Sequence, residues 1–142
     1  MTSDQINYEK REVPTDEKLI SLAKLNPNTW VYDIDWDYKA DQRVPPEAIR
    51  GGWEVDSQGN LTGLFAPIDR YRPIEHCERL LPQYMHAAAM RYPGRWIVEI
   101  DPRGEALFPA IPDELIRGWW YVDDDGKITD LFRGNSLWEP PE

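Results

Sequence analysis

Residues 45–65 read PPEAIRGGWEVDSQGNLTGLF, and residues 112–132 read PDELIRGWWYVDDDGKITDLF. Laid over each other at an offset of 67 positions, the two stretches need no gap and are identical at 12 of 21 positions. In the first stretch the identical residues are Pro45, Glu47, Ile49, Arg50, Gly51, Trp53, Val55, Asp56, Gly59, Thr62, Leu64 and Phe65. Unrelated sequences share far fewer positions, so the two stretches are copies of one structural unit.

The similarity continues towards the N-terminus at an offset of 66 positions. Residues 30–35, WVYDID, align with residues 96–101, WIVEID, and Pro27 aligns with Pro93. The chain is therefore a tandem duplication rather than a sequence with one shared motif.

The two repeats are predicted at about residues 14–73 and 81–138, within one compact body formed by residues 1–142. A single copy offers one helix and three short strands, which is a thin basis for independent stability. We therefore expect an α+β fold. It is a tandem duplication of a helix-plus-three-strand unit about a pseudo-twofold axis, with helices packed against an antiparallel sheet and one shared core.

Repeat one is predicted to begin with a helix. Residues 14–16 supply a helix start with an acid in the first turn, and Pro27 ends the helix near Leu25. Residues 30–35 follow as a strand. The side chains predicted on the buried face of the helix are Leu19, Leu22 and Ala23.

The rest of repeat one is predicted as a hairpin. A short turn over residues 45–52 leads to a strand with Trp53 and Val55 on one face. Residues 56–59 form the hairpin turn, with a glycine at its last position to supply a positive φ. Residues 61–65 return as the next strand.

Repeat two follows the same plan with additions. Its helix begins at Pro82, where the missing N–H does no harm. Because a proline inside a helix would break it, residues 74–81 are predicted as a separate linker helix. We also expect an extra strand at residues 105–108 and a frayed, Pro-rich tail over residues 135–142.

The composition predicts a folded, acidic protein. Of 142 residues, 41% are apolar and seven are Trp, which suffices for a core. Twenty-six acidic against 16 basic residues give a net charge of −10, which disfavours nucleic acid and anionic membranes and favours a basic protein partner. No secretion signal is visible, and the single cysteine, Cys77, suits a reducing compartment, so we expect a cytoplasmic location.

Three segments carry a resemblance to a known family: residues 23–35 (AKLNPNTWVYDID), 44–53 (VPPEAIRGGW) and 69–73 (DRYRP). With the turn glycine Gly59, they resemble the actinobacterial family of type VII secretion system-associated proteins. In that family, a Trp strand ending in Asp precedes a Pro-Pro-x-Ala motif, a Gly-x-Trp, a turn glycine and Tyr-Arg-Pro.

The resemblance covers about residues 19–73 and, more loosely, residues 85–132. Repeat two departs from the pattern at residues 111–113 and has residues 137–140, LWEP, in place of the closing motif. The resemblance implies a non-catalytic accessory encoded near secreted toxins or their export machinery. It implies no catalytic residue.

The run Asp123-Asp124-Asp125-Gly126 raises the question of a calcium loop. With Gly126 at position 6 of an EF-hand loop, positions 1 and 12 fall on Tyr121 and Phe132, which lack carboxylates. A hairpin turn is therefore the prediction.

His76, Cys77 and His86 lie close together in the sequence. Their spacing matches neither a zinc site nor a nucleophile–base pair. The sequence therefore predicts no metal and no cofactor.

Asp33, Asp35 and Asp37 alternate, which places them on one side of an extended strand. A duplicated acid at a strand end more often pairs with a duplicated base. We expect structural ion pairs of this kind at Asp35–Arg50 and Asp101–Arg117, or close variants of them. The alternative is a small-ligand-binding domain or small enzyme that uses the three acids in a groove between the repeats.

Binding residues are predicted among the bulky side chains that only one copy carries, because shared positions serve the fold. Aromatic residues and Arg are enriched at interface anchors. The predicted binding residues are Trp36, Asp37, Tyr38, Tyr71, Arg72, Trp119 and Trp138. We expect a non-enzymatic protein-binding domain, either an immunity protein or a secretion accessory, with a basic toxin or secretion component as partner. A purely structural homodimer is a further alternative.

Overall fold

A computed structural model gives the fold and describes residues 7–141. In chain order the elements are β1 Glu9–Lys10, α1 Glu17–Leu25, β2 Trp30–Ile34, β3 Ile49–Val55, β4 Leu61–Pro67, β5 Glu75–His76, α2 Gln83–Arg91, β6 Trp96–Ile100, α3 Pro102–Glu105, β7 Ile116–Val122 and β8 Ile128–Gly134. Single-turn 3₁₀ helices at Pro46–Ala48 and Asp113–Leu115 precede β3 and β7.

The strands form two antiparallel four-stranded sheets with the same strand order, β1-β4-β3-β2 and β5-β8-β7-β6. The chain divides into two compact units. Unit 1 holds the first sheet and contains the described residues up to Asp37 together with Ala48–Tyr71. Unit 2 holds the second sheet and contains Tyr38–Glu47 and the residues from Arg72 onwards. The predicted mixture of helices and antiparallel strands is confirmed, whereas the single shared core stays a prediction.

Unit 1 packs α1 against one face of the first sheet. The side chain of Asp16 caps the helix by accepting a hydrogen bond from the N–H of Lys18 at 2.8 Å. Leu22 is exposed, contrary to prediction, because it lies at the margin of the buried helix face. The buried cluster consists of Leu19, Ala23, Val31, Trp53, Val55, Leu61 and Phe65.

Unit 2 repeats this arrangement with α2. The helix begins directly after Pro82, as predicted, and ends at Arg91. Met85 and Ala89 face the sheet as the counterparts of Leu19 and Ala23 in unit 1. The buried cluster consists of Met85, Ala89, Ile97, Trp120 and Val122.

One aromatic pair forms the centre of each cluster. The rings of Trp53 and Phe65 lie 4.6 Å apart, and those of Trp120 and Phe132 lie 4.8 Å apart. A side chain at Gly118, which precedes Trp120 by two positions, would clash with the Phe132 ring and the carbonyl oxygen of Arg133, and Gly51 is in the same situation in unit 1. Close packing therefore requires a glycine at position 51 and at its counterpart, position 118.

The hairpin turns form as predicted. In unit 2, the Asp123 side chain accepts hydrogen bonds from the N–H groups of Asp125 and Lys127, both at 2.9 Å. Gly126 has a φ of 78° and its counterpart Gly59 has a φ of 77°, a region that glycine adopts without strain. The carboxylate of Asp123 thus stabilises a turn.

Two short edge strands, β1 and β5, are not predicted by the sequence pattern. β1 pairs with β4 and β5 pairs with β8, so each unit has four strands rather than three. The predicted linker helix at residues 74–81 is wrong, because its beginning pairs with β8 and residues 77–81 are not helical. Two-residue strands carry too little alternation to be recognised.

The predicted extra strand at residues 105–108 is also wrong, because Glu105 ends a short helix, α3, and residues 106–108 form turns. Asp101 caps α3 by accepting a hydrogen bond from the N–H of Arg103 at 2.9 Å, and Pro102 occupies the first turn. An acidic cap followed by proline favours a helix start over a strand.

Residues 135–138 of the C-terminal tail are tethered, contrary to the predicted fraying, and Glu142 lies outside the described residues. The side-chain amide of Asn135 donates hydrogen bonds to the carbonyl oxygens of Asp113 and Ile116, both at 2.7 Å. The indole N–H of Trp138 donates to Asp101 at 2.7 Å. Side-chain hydrogen bonds of this kind cannot be read from the Pro-rich composition.

Candidate protein-binding surface

The outer face of the first sheet, opposite the α1 core, carries exposed aromatic side chains. Trp30 and Tyr32 alternate along β2 with the buried Val31, so they point away from the core. Their exposed fractions are 38% and 60%. Tyr8 stacks on Trp30 with ring centres 5.6 Å apart. We call Tyr8, Trp30 and Tyr32 the aromatic patch.

Small residues and one acid lie beside the aromatic patch on the same face. In the sheet register, Gly52 of β3 lies opposite Tyr32, and Glu54 lies opposite Trp30. Ala66 of β4 in turn lies opposite Gly52. The Trp30 ring lies over Gly52, because a side chain there would meet it at 3.5 Å, and the Glu54 carboxylate lies at the side of the patch.

The outer face of the second sheet is filled at the equivalent positions. Trp96, Trp119, Tyr121 and Arg133 stand where unit 1 has Trp30, Gly52, Glu54 and Ala66. The guanidinium carbon of Arg133 lies 5.5 Å from the centre of the Trp96 ring, and the Tyr121 ring lies 5.4 Å from the same ring. Trp96 is 7% exposed and Arg133 is fully buried.

The segment Tyr38–Glu47 belongs to unit 2 although the sequence places it in repeat one. Asp41 pairs with Arg95 at 2.7 Å, and the side-chain amide of Gln42 donates to the carbonyl oxygen of Trp96 at 3.2 Å. The segment thus runs beside the tryptophan that corresponds to Trp30 of unit 1.

Glu47 anchors the end of this segment. Its carboxylate accepts hydrogen bonds from the hydroxyl and the N–H of Ser136 at 2.5 and 3.1 Å. Arg133 donates to the carbonyl oxygens of Glu47 and Arg72 at 3.2 and 2.8 Å. Glu47 is fully buried, whereas its counterpart Glu114 is exposed. An identical residue therefore has different surroundings in the two units.

An acid–tryptophan hydrogen bond recurs in both units. Asp33 accepts from the indole N–H of Trp53 at 3.1 Å, and Glu99 accepts from that of Trp120 at 2.9 Å. A β-bulge after Asp33 breaks the alternation on which the predicted row of three acids depends. These equivalent acids therefore stabilise the core.

Each of these two acids also has a basic partner. Arg50 pairs with Asp33 at 3.0 Å, which is a close variant of the predicted Asp35–Arg50 pair. Glu99 pairs with Arg79, which lies between β5 and α2. The acid thus has the same role in both units, whereas Arg117, the counterpart of Arg50, lies over Trp138 instead of pairing with Glu99.

The predicted Asp101–Arg117 ion pair does not form. Asp101 pairs with Arg103 at 2.7 Å because it caps α3, and Arg117 lies over the ring of Trp138 at 4.6 Å. The hydrogen bond from Arg103, followed by that from Trp138, holds the pKa of Asp101 well below its usual range despite the opposing effect of burial.

Two of the predicted binding residues occupy equivalent positions and make equivalent hydrogen bonds. The Tyr71 hydroxyl donates to Asp35 at 2.8 Å, as Trp138 donates to Asp101 at 2.7 Å. Burial raises the pKa of Tyr71, and the hydrogen bond to Asp35 raises it further. Tyr71 thus connects the end of repeat one to the acid after β2, and Trp138 connects the end of repeat two to the acid after β6.

The remaining predicted binding residues are Trp36, Asp37, Tyr38, Arg72 and Trp119. Trp36, Tyr38 and Trp119 are half-buried, and Arg72 is exposed. Asp37 is exposed over 91% of its side chain and pairs with Lys18 at 2.8 Å, which lowers its pKa. The two units divide between Asp37 and Tyr38, so Trp36 and Asp37 belong to unit 1 and Tyr38 belongs to unit 2.

The histidine and cysteine residues do not gather into a site. His76 is exposed, with its Nδ1 2.9 Å from a carboxylate oxygen of Asp130, and Cys77 is half-buried. Within residues 7–141, no group of three or more His, Cys, Asp or Glu side chains could hold a metal ion. None of the helices in this range is both long and apolar enough to cross a membrane.

The aromatic patch is not among the predicted binding residues. Trp30 is shared by both repeats and therefore looks structural in an alignment of the copies. The sequence indicates the difference between the two faces at other positions, since Ala66 aligns with Arg133 and Gly52 aligns with Trp119. A shared aromatic residue with smaller neighbours in one copy predicts an open face in that copy.

No protein-family model matches the chain, and neither the curated proteins nor the solved structures include a match. The function is therefore argued from the residues of the chain itself.

Proposed function

We propose that this chain is a non-catalytic protein-binding domain, and that the outer face of the first sheet is its binding surface. The observation that carries the proposal is the difference between two equivalent tryptophans, of which Trp30 is exposed and Trp96 is covered. In unit 2 the chain itself covers this position. A partner protein covers it in unit 1, because aromatic side chains are enriched at interface anchors.

The proposed partner is a basic protein. The chain carries a net charge of −10, and Glu54 lies beside the aromatic patch. Opposite charges raise the rate of association and disfavour acidic competitors. An acidic domain of this kind can cover the basic active-site cleft of a toxin.

The resemblance of residues 19–73 to type VII secretion system-associated proteins narrows the proposed role. In this proposal the chain is a cytoplasmic accessory of bacterial type VII secretion, or an immunity protein that inhibits a secreted toxin. The pseudo-twofold relation of the two repeats is part of the same proposal.

A small-ligand site at the acids after β2 has less support. Asp33 bonds to Trp53, Asp35 accepts from Tyr71, and Asp37 pairs with a lysine of α1. Each acid therefore has a different protein partner, and the alternation that would align them is broken by the bulge.

A pull-down from the lysate of the source cells, at low and at high salt, identifies candidate partners by mass spectrometry. The purified partner is then titrated into the wild-type protein, a Tyr32→Ser variant and a Leu80→Ser variant. Leu80 is 98% exposed and lies away from the aromatic patch in the sequence, so it serves as the control.

We expect Tyr32→Ser to weaken binding about tenfold or more, and Leu80→Ser to leave it unchanged. Melting temperatures of both variants should stay close to that of the wild type, because both side chains are exposed. If partner binding is equally strong for all three proteins, the outer face of the first sheet is not the binding surface.

A further inference from the structure

We infer that the aromatic patch of unit 1 recognises an arginine side chain of the partner protein. The inference rests on the proposed function, because it names the chemistry by which the partner is bound. It follows from what the chain itself places on the equivalent face of unit 2.

Unit 2 shows which side chain this face accommodates. Arg133 extends over the Trp96 ring, with its guanidinium carbon 5.5 Å from the ring centre. The Tyr121 ring packs against the same tryptophan. A planar guanidinium stacks well on aromatic rings, and this contact gains strength when water is excluded from it. The outer face of unit 2 thus holds an arginine against its tryptophan, and the carbonyl oxygens of Glu47 and Arg72 hold the same guanidinium.

Unit 1 has the aromatic surface without the arginine. Trp30 corresponds to Trp96, but Ala66 stands at the position of Arg133. Gly52 and Ala66 together remove two bulky side chains from this face. Tyr8 stacks on Trp30 and covers part of that ring, so a cation that arrives from outside meets the exposed parts of Tyr8, Trp30 and Tyr32.

Glu54 supplies the charge complement. It stands at the position of Tyr121 and lies opposite Trp30 in the sheet register. One of its oxygens accepts a hydrogen bond from the hydroxyl of Thr62 at 2.9 Å. A carboxylate can accept several hydrogen bonds, so this contact still leaves room for a guanidinium. Together the rings and the carboxylate favour a basic side chain over a neutral one.

The test uses the short peptide acetyl-Gly-Arg-Gly-amide as a probe. Its control has citrulline in place of arginine, which keeps the shape and removes the charge. Binding is followed by NMR through the indole N–H signals of Trp30 and Trp96, and through the ring protons of Tyr32. We expect a saturable shift of Trp30 and Tyr32, about tenfold weaker binding of the citrulline peptide, and no shift of Trp96.

Two variants supply the matched comparison. Ala66→Arg gives unit 1 the arginine that unit 2 already has, so it should block the patch and abolish the shift of Trp30. Ala66→Gln adds a shorter polar side chain without the charge and should retain most of the binding. Equal shifts with both peptides, or unchanged peptide binding by Ala66→Arg, would overturn the inference.

The same variants separate this inference from the proposed function. In one outcome, the partner binds Ala66→Arg as tightly as the wild type but loses affinity for Tyr32→Ser. That result supports the proposed binding surface and contradicts recognition of an arginine. A partner that is indifferent to both substitutions contradicts the proposed surface itself.

Discussion

Arg133 covers the ring of Trp96 on the outer face of the second sheet, and the equivalent ring of Trp30 in the first sheet has an alanine in that place. The two units share their sheet order, their central aromatic pairs and their turns. Their outer faces differ, because one carries the arginine and the other does not. Unit 2 thus covers its tryptophan with an arginine, whereas unit 1 leaves Trp30 38% exposed beside Tyr8.

Removing Arg133 should destabilise the protein. Arg133→Ala deletes the cation above Trp96 and leaves the carbonyl oxygens of Glu47 and Arg72 without this donor. We expect a loss of about 3 kcal/mol in the free energy of unfolding, measured with urea. Arg91→Ala, on the exposed side of α2, serves as the control and should change stability by less than about 0.5 kcal/mol. Equal effects of the two substitutions would show that Arg133 contributes no more than a surface arginine.

The glycine two positions before each central tryptophan should not tolerate a side chain. Gly118→Ala places a methyl group against the Phe132 ring and a backbone oxygen, so we expect a loss of about 2 kcal/mol or more. At Gly134, in the neighbouring strand, the added methyl group would meet only an ordinary contact with the same ring. Gly134→Ala should therefore be nearly neutral. Thermal unfolding that ranks the two variants in the opposite order would contradict the close packing.

The two acid–tryptophan contacts should differ in strength. Glu99 is buried and the side chain of its partner Arg79 is 26% exposed, whereas that of Arg50, the partner of Asp33, is 48% exposed. Glu99→Gln should cost about 2 kcal/mol, and Asp33→Asn less than about 1 kcal/mol, because solvent screens the exposed pair. Urea unfolding measures both values. Similar losses would mean that burial does not distinguish the two pairs.

Asp101 should make stability depend on pH. Because its pKa is lowered in the folded state, the unfolded chain takes up this proton first as pH falls, so stability rises with pH. The stabilisation is fully present above the ordinary aspartate pKa of about 3.9 and is lost as pH falls through the folded-state pKa. Asparagine at position 101 keeps the helix cap of α3 and removes the charge.

The stability difference between the wild type and Asp101→Asn should therefore be largest near neutral pH and shrink below about pH 4. Urea unfolding at several pH values measures it. The exposed Asp125, replaced in the same way, provides the control for general charge effects. A difference that stays constant over this range would contradict the lowered pKa.

Much of the fold follows from the repeat. The helix that begins at Pro82, the hairpin turn with Gly126 and the strand with Trp53 and Val55 lie where the pattern predicts them. These features depend on local rules: proline at a helix start, glycine at a positive φ, and alternation along a strand.

Features that depend on distant side chains could not be predicted in this way. Asp101 looks like the partner of Arg117 in the alignment, but capping of α3 turns its carboxylate to Arg103. The two-residue strand Glu75–His76 has no pattern of its own and exists only through pairing with β8. Tertiary contacts decide such cases, and a sequence shows them only weakly.

The candidate site shows the same limit. The rule that shared residues serve the fold holds for Trp53 and Trp120, which are buried. It fails for Trp30, which is shared by both repeats but exposed. Comparing the neighbours of each shared residue, rather than the residue alone, would have identified the face.

Hydroxyl-radical footprinting with mass spectrometry, on the free protein and on its complex with the purified partner, tests the central claim most directly. The claim predicts faster oxidation of Trp30 and Tyr32 than of Trp96 in the free protein, and protection of Trp30 and Tyr32 when the partner is bound. Equal oxidation of Trp30 and Trp96 in the free protein, or a complex in which Trp30 and Tyr32 stay as reactive as before, would contradict it.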